Sequence, residues 1–203
     1  MQKKSPLSGP FHLGAIATLG PYYLPYLIGP LRKAYPQLEL IISEGQTYEL
    51  LNKLDKGELD AIIASRTFDE SKYRIYTLFK EPFWLASPHD SSLYHNTKVK
   101  PIRTKDIDKD KIILLADGNC LKDEVVDFCQ LSRTQTYKLQ ASSLETLKHL
   151  IAAGNGISFF PELAIEENKK LNGLITYSEI AEKSAFREIV LVTREQFSRP
   201  EIS

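Results

Sequence analysis

The chain has 203 residues, 42% hydrophobic and 26% charged, which is enough to bury one large core or two small ones. Its 26 basic and 26 acidic residues cancel and no long block of one sign occurs, which argues against nucleic-acid binding through this chain's own surface. MQKKSPLSGPFHLG lacks the apolar stretch of a secretory signal, no run approaches the roughly 20 apolar residues of a membrane helix, and two cysteines are too few for a disulfide scaffold. The expectation is therefore a cytoplasmic protein without membrane contact.

In chain order, apolar patterning predicts a strand at 11–17, a helix near 21–35, a strand at 38–44 and a helix near 46–56. Strands follow at 60–65, 83–87 and 111–117, then a helix near 121–131, a strand at 137–142 and a helix near 143–153. The last elements are a strand at 156–160, a helix near 162–171, and strands at 174–178 and 188–194. This alternation implies an α/β fold with largely parallel sheets. The polar stretch 87–110, with Pro88 and Pro101, separates two such sets.

Few sequence patterns point to enzyme chemistry. The Gly-x-Gly at 154–156 joins a helix to a strand and lacks a third glycine, so it reads as a helix C-terminal cap and not as a nucleotide loop. No Gly-x-Ser-x-Gly elbow occurs. His12, His89, His95 and His149 are scattered, and with Cys120 and Cys129 they match no usual ligand spacing. No metal and no cofactor are expected.

Residues 16–64, IATLGPYYLPYLIGPLRKAYPQLELIISEGQTYELLNKLDKGELDAIIA, run from a strand into a helix opened by Gly20-Pro21, then to a second strand, a Gln46-Thr47 helix start and GELDAII. With AAGNGISFFP at 152–161, this resembles the effector-binding domain of LysR-type transcriptional regulators. TLGPYYLP, EGQTYELL, DGNCLKDEVVDFC and SSLETLKHLIAAGNGI resemble most closely the hydrogen-peroxide-sensing branch of that family. Two positions depart from that pattern: Asn119 stands where the branch has His, and Lys122 where it has Arg.

The resemblance implies a two-lobed, type II periplasmic-binding-protein-like α/β fold with two crossing strands. Lobe I would be about 9–86 plus 189–203 and lobe II about 87–188. DNA would be reached only through an N-terminal winged helix-turn-helix absent from this chain. The resemblance also implies a homodimer or homotetramer. For self-association the sequence itself offers only the apolar, tyrosine-rich helix at 21–35. The implied function is that of a sensor and not an enzyme. Hydrogen peroxide would oxidise Cys120 to a sulfenic acid, which condenses with Cys129, refolds segment 117–131 and alters the dimer; a glutaredoxin or thioredoxin would reset it.

The cysteine segment has its own geometry. If 121–131 is helical, Leu121, Val125 and Phe128 form one apolar stripe. Cys129 falls on that stripe, and Cys120, nine residues earlier, falls on the opposite side. Nine residues of helix separate the two by roughly 13.5 Å, whereas a disulfide requires Cα atoms about 4.4–6.8 Å apart. Bond formation therefore requires the helix to unwind. Asn119 is a good N-cap residue, and Cys120 would be the first helical residue, where the helix dipole and the cation of Lys122 favour a thiolate. Asp123 and Glu124 oppose this.

Thr18, Thr47 and Asn119 are the candidate peroxide contacts, the threonines by motif. Helix capping is the alternative for Thr47 and strand termination for Thr18. Asp123 could hold the reduced shape and Arg187 matches a family arginine near the cysteine; either could instead be a surface charge. Two further functions remain open: a LysR-type domain binding a small organic effector in the cleft, and a thiol peroxidase. A solute-binding protein of the envelope is a third.

Overall fold

The computed structural model describes residues 8–90, 101–132, 139–165 and 173–195. His95, most of the helix expected at 162–171 and part of the strand expected at 137–142 lie outside them. The chain divides into two compact units, residues 1–79 with 188–203, and residues 80–187. Strands β4 (Tyr73–Pro88) and β9 (Phe186–Arg194) each contribute to both.

The first unit is built on β1 (Gly9–Ile16), α1 (Gly20–Ala34), β2 (Leu38–Gly45), α2 (Thr47–Asp55) and β3 (Ala61–Ser65). β1 is parallel to both β2 and β3, and β9 closes the row antiparallel to β3. Every residue of β3 is buried, as a strand at the centre of a parallel sheet requires. Gly14 is fixed by packing: a Cβ there would lie 2.8 Å from Leu59 and 2.9 Å from Ile62. α1 opens with a proline in its first turn and ends with Arg32 and Lys33 at the negative end of its dipole. It also holds Pro25 and Pro30 in its interior, and buries only Gly20 and Leu24.

In the second unit β4 is longer than the strand expected at 83–87. Its residues Trp84–Ala86 pair antiparallel on both sides, with β7 (Ser158–Pro161) and with β8 (Ile175–Glu179). The sheets are therefore mixed: returning strands pair antiparallel with β3 and β4, while β5 (Leu114–Leu115) and β6 (Gln140–Ala141) form a short parallel pair. The strand expected at 111–117 is reduced to β5: a 3-10 turn at Lys109–Lys111 precedes it, and Asp117 already lies in the turn before α3. α3 (Cys120–Phe128) and α4 (Leu144–Ala152) complete the unit. Its core holds Phe83, Leu85, Leu147, Ile151, Phe159 and Phe160.

Candidate functional site

α3 begins at Cys120, as the turn sequence before it predicts, and Asn119 occupies the N-cap position. Asn119 does not cap, however. Its side-chain amide donates to the Ala116 carbonyl at 3.0 Å, and no side-chain cap bond reaches the helix N–H groups. The Lys122 N–H donates to the backbone carbonyl of Asn119 at 3.0 Å. Lys122 forms an ion pair with Asp117 instead of standing as an isolated cation. Asp123 is exposed in the first turn.

Cys129 is the C-cap residue, and no disulfide joins the two thiols. Cys120 and Cys129 stand on opposite sides of the helix, nine residues apart, yet both are buried. The buried residues of the segment are Cys120, Leu121, Val125, Val126 and Cys129, which at 100° per residue span about 240° of the circumference. A short helix covered on that much of its surface has no single inner stripe. Burial pushes the Cys129 thiol up to about 12; nearby Lys109 opposes this and Glu182 adds to it. Cys129 is consequently a protonated thiol, a poor nucleophile for as long as it stays packed.

Phe128, beside it, is half-buried between two rings. It stacks on Phe83 at 5.2 Å and meets Phe159 edge-on at 5.0 Å. After Cys129 the chain turns through Gln130 at φ 51°, the only non-glycine residue with positive φ among the described residues. Neither feature was anticipated from the sequence; the Phe83-to-Phe159 separation gives no local signal, and glutamine is not a left-handed residue by preference.

Arg187 is not a surface charge. Its side chain is fully buried, and Nε donates to Glu81 Oε2 at 2.7 Å. The other oxygen of Glu81 accepts the Leu163 N–H at 2.9 Å. This pair anchors β9, β4 and the turn after β7.

Thr18 and Thr47 belong to the first unit. They follow the C-terminal ends of neighbouring parallel strands, two residues beyond the paired Ile16 and Gly45, the end at which open α/β sheets place ligands. Thr18 is buried. The capping alternative for Thr47 fails, because Gln46 is the N-cap and forms a capping box with Glu49. The Thr47 hydroxyl is buried and has no hydrogen-bond partner, a polar group left without its ordinary satisfaction.

Among the described residues no helix is long and apolar enough to cross a membrane, and no three His, Cys, Asp or Glu residues converge as metal ligands.

The sequence pattern of the family described as LysR substrate binding domain matches residues 4–202. The chain is 36% identical over 194 residues to the "DNA-binding transcriptional dual regulator OxyR" of Escherichia coli (strain K12), covering 95% of this chain and 62% of that protein. It therefore spans under two thirds of that relative's length. Among solved structures it is similar to the reduced form of the OxyR regulatory domain from Pseudomonas aeruginosa. There the TM-score is 0.85 and the identity 34%, over 97% of this chain and 94% of that one. It is also similar to the oxidized form of OxyR, with a TM-score of 0.83 and 34% identity over 97% and 92% of the two chains.

Proposed function

This chain belongs to the LysR substrate-binding-domain family, and from that premise we propose that it is the regulatory region of a hydrogen-peroxide-responsive transcriptional regulator. The observation that carries the reading is α3 itself. Its first residue is one cysteine, its C-cap is the other, and no disulfide joins them.

Peroxide reacts at Cys120. The thiolate sulfur attacks one peroxide oxygen, the O–O bond breaks, and hydroxide leaves and is protonated to water, giving a sulfenic acid. The place of Cys120 as the first residue of α3, at the positive end of the helix dipole, favours the thiolate form of that thiol. Cys129 then attacks the sulfenic sulfur, a disulfide forms, and a second water leaves. Nine helical residues hold the thiols roughly 13.5 Å apart, so the second step unwinds α3 and refolds segment 117–131. Asn119, next to Cys120, serves as a polar contact for the oxidant; Thr18 and Thr47 are candidate polar contacts at the strand ends of the first unit. Asp123 and the Arg187–Glu81 pair hold the reduced arrangement. A dithiol such as thioredoxin or glutaredoxin resets the pair by exchange, which suits the reducing cytoplasm.

DNA contact belongs to a part of the regulator outside the matched region. Self-association is supported by the first unit, where Tyr26, Ile41, Ile42 and Leu78 are exposed. Beside them an apolar cavity of about 180 Å³ is lined by Tyr23, Leu27, Leu31, Leu78 and others. Exposed apolar side chains beside an apolar cavity suit an interface with a second copy of the chain.

The test is thiol mapping. Reduced protein is exposed to one equivalent of hydrogen peroxide, free thiols are trapped, and the protein is digested with trypsin without reductant. Cleavage after Lys111, Lys122 and Arg133 places the thiols in peptides 112–122 and 123–133. One disulfide-linked species within seconds is expected. Two free thiols after minutes would overturn the peroxide reading and leave a small organic effector as the signal.

A further inference from the structure

The described structure contains three nine-residue helices, α2, α3 and α4, and all three end in the same hydrogen-bonded motif. After α2, Gly57 N–H donates to Leu54 O at 3.1 Å and Glu58 N–H to Lys53 O at 2.9 Å. After α4, Gly154 N–H donates to Ile151 O at 2.9 Å and Asn155 N–H to Leu150 O at 3.1 Å. After α3, Gln130 N–H donates to Asp127 O at 3.2 Å and Leu131 N–H to Val126 O at 2.9 Å. This is the Schellman closure, whose central residue sits in the left-handed region and is usually glycine. Gly57 has φ 75° and Gly154 φ 80°, but α3 places Gln130 there at φ 51°. An L side chain at that conformation is strained, and glycine is not.

The last turn of α3 is weak in a second way. α2 has Lys53 and α4 has His149 near the negative end of the dipole, whereas α3 has no base there and carries Asp127. Two contacts oppose this strain. One is the Phe83–Phe128–Phe159 ring cluster. The other is Lys109, whose Nζ donates to the Gln130 carbonyl at 3.2 Å.

We propose that Phe128 and Gln130 are positioning residues for the resolving thiol, acting as a strained latch that sets how often Cys129 leaves the core. Phe128 holds the helix end shut and Gln130 pushes it open, so opening precedes and limits disulfide closure. The proposal rests on the peroxide reading for its purpose. The latch itself is a property of the reduced fold and can be measured without peroxide.

The experiment reads opening as the alkylation rate of Cys129 by iodoacetamide, in the 203-residue chain carrying Cys120→Ser. Phe128→Leu keeps an apolar side chain but removes both ring contacts, and should speed alkylation on the order of tenfold. Phe83→Leu reaches the same cluster from its other side and should move the rate the same way, which covers the case of a poorly folding Phe128 variant. Gln130→Gly relieves the strain and should slow alkylation about threefold. Phe128→Tyr keeps the ring and should restore the parent rate. Gly154→Ala weakens the equivalent closure on α4, and should lower the unfolding midpoint while leaving Cys129 alkylation unchanged.

Rates that move in the same direction for Phe128→Leu and Gln130→Gly would overturn the latch. So would a Gly154→Ala effect as large as that of Phe128→Leu, since opening would then be global unfolding. In chains that retain Cys120, disulfide closure under peroxide should follow the same order of rates. If alkylation shows that order but peroxide forms no disulfide, the latch stands and the peroxide reading falls.

Discussion

α3 and α4 lie in the same unit, have the same length and end in the same hydrogen-bond pattern, yet they are finished differently. Ser143 caps α4 by accepting the Thr146 N–H at 3.1 Å, and Gly154 closes its other end without strain. Asn119 stands at the α3 N-cap without capping, and Gln130 strains its exit. One helix has a side-chain cap at its start and an unstrained exit; the other has no side-chain cap and closes its exit over a strained residue. The difference shows how a fold can assign low local stability to a single element: α3 depends on tertiary packing, which can be released, and α4 also has its own caps.

The largest effect should come from breaking the buried ion pair of the unit that holds both helices. Glu81→Gln takes the carboxylate from the buried Arg187 guanidinium and should destabilise the second unit by about 3 kcal/mol or more. Amide protection of α3 and α4 should then fall together in hydrogen exchange. If only α3 loosens, the ion pair is local to the switch.

The next effect is pH dependence. The packed Cys129 thiol has its pKa raised from 9.0 to about 12 by burial, with Lys109 and Glu182 as the charged groups bearing on it. A raised pKa means the stabilisation is fully present below about pH 9 and is lost as pH rises toward 12. Below pH 9 only the opened thiol ionises, so alkylation of Cys129 should rise about tenfold per pH unit. The rise should level off above pH 9; a rise that continues undiminished toward pH 12 would mean that Cys129 reacts without leaving its packed site.

Capping gives a smaller contrast. Ser143→Ala should cost about 1 kcal/mol in urea unfolding, and Gly154→Ala, at φ 80° with open space around it, about the same. Asn119→Ala should cost less than Ser143→Ala, because no cap bond is lost. Equal losses at the two N-caps would erase the distinction between the helices.

Much of this was legible in the sequence. The Asp-Gly-Asn turn and the apolar spacing after it place the start of α3 at Cys120, and α1 appears where Gly20-Pro21 predicts it despite two interior prolines. Other features depend on contacts distant in the chain. Lys80, Glu81 and Pro82 break the apolar alternation of β4, so the strand's true length is hidden. Glu81 and Arg187 look like ordinary surface charges until their pairing across 106 positions is known. The burial of Cys120 was missed because a helical wheel assumes one inner face, and α3 is covered on several. Capping stayed open as the alternative for Thr47 because threonine often caps; here Gln46 and Glu49 do that work.

The most direct test follows the amides of residues 120–131 by hydrogen exchange, before and after one equivalent of hydrogen peroxide, with α4 as internal reference. Protection at Val125, Val126 and Cys129 should be lost as the Cys120–Cys129 disulfide forms, while that of Leu147 and Ile151 persists. A disulfide that forms with α3 protection intact would contradict the central claim that these thiols can meet only when the helix between them comes apart.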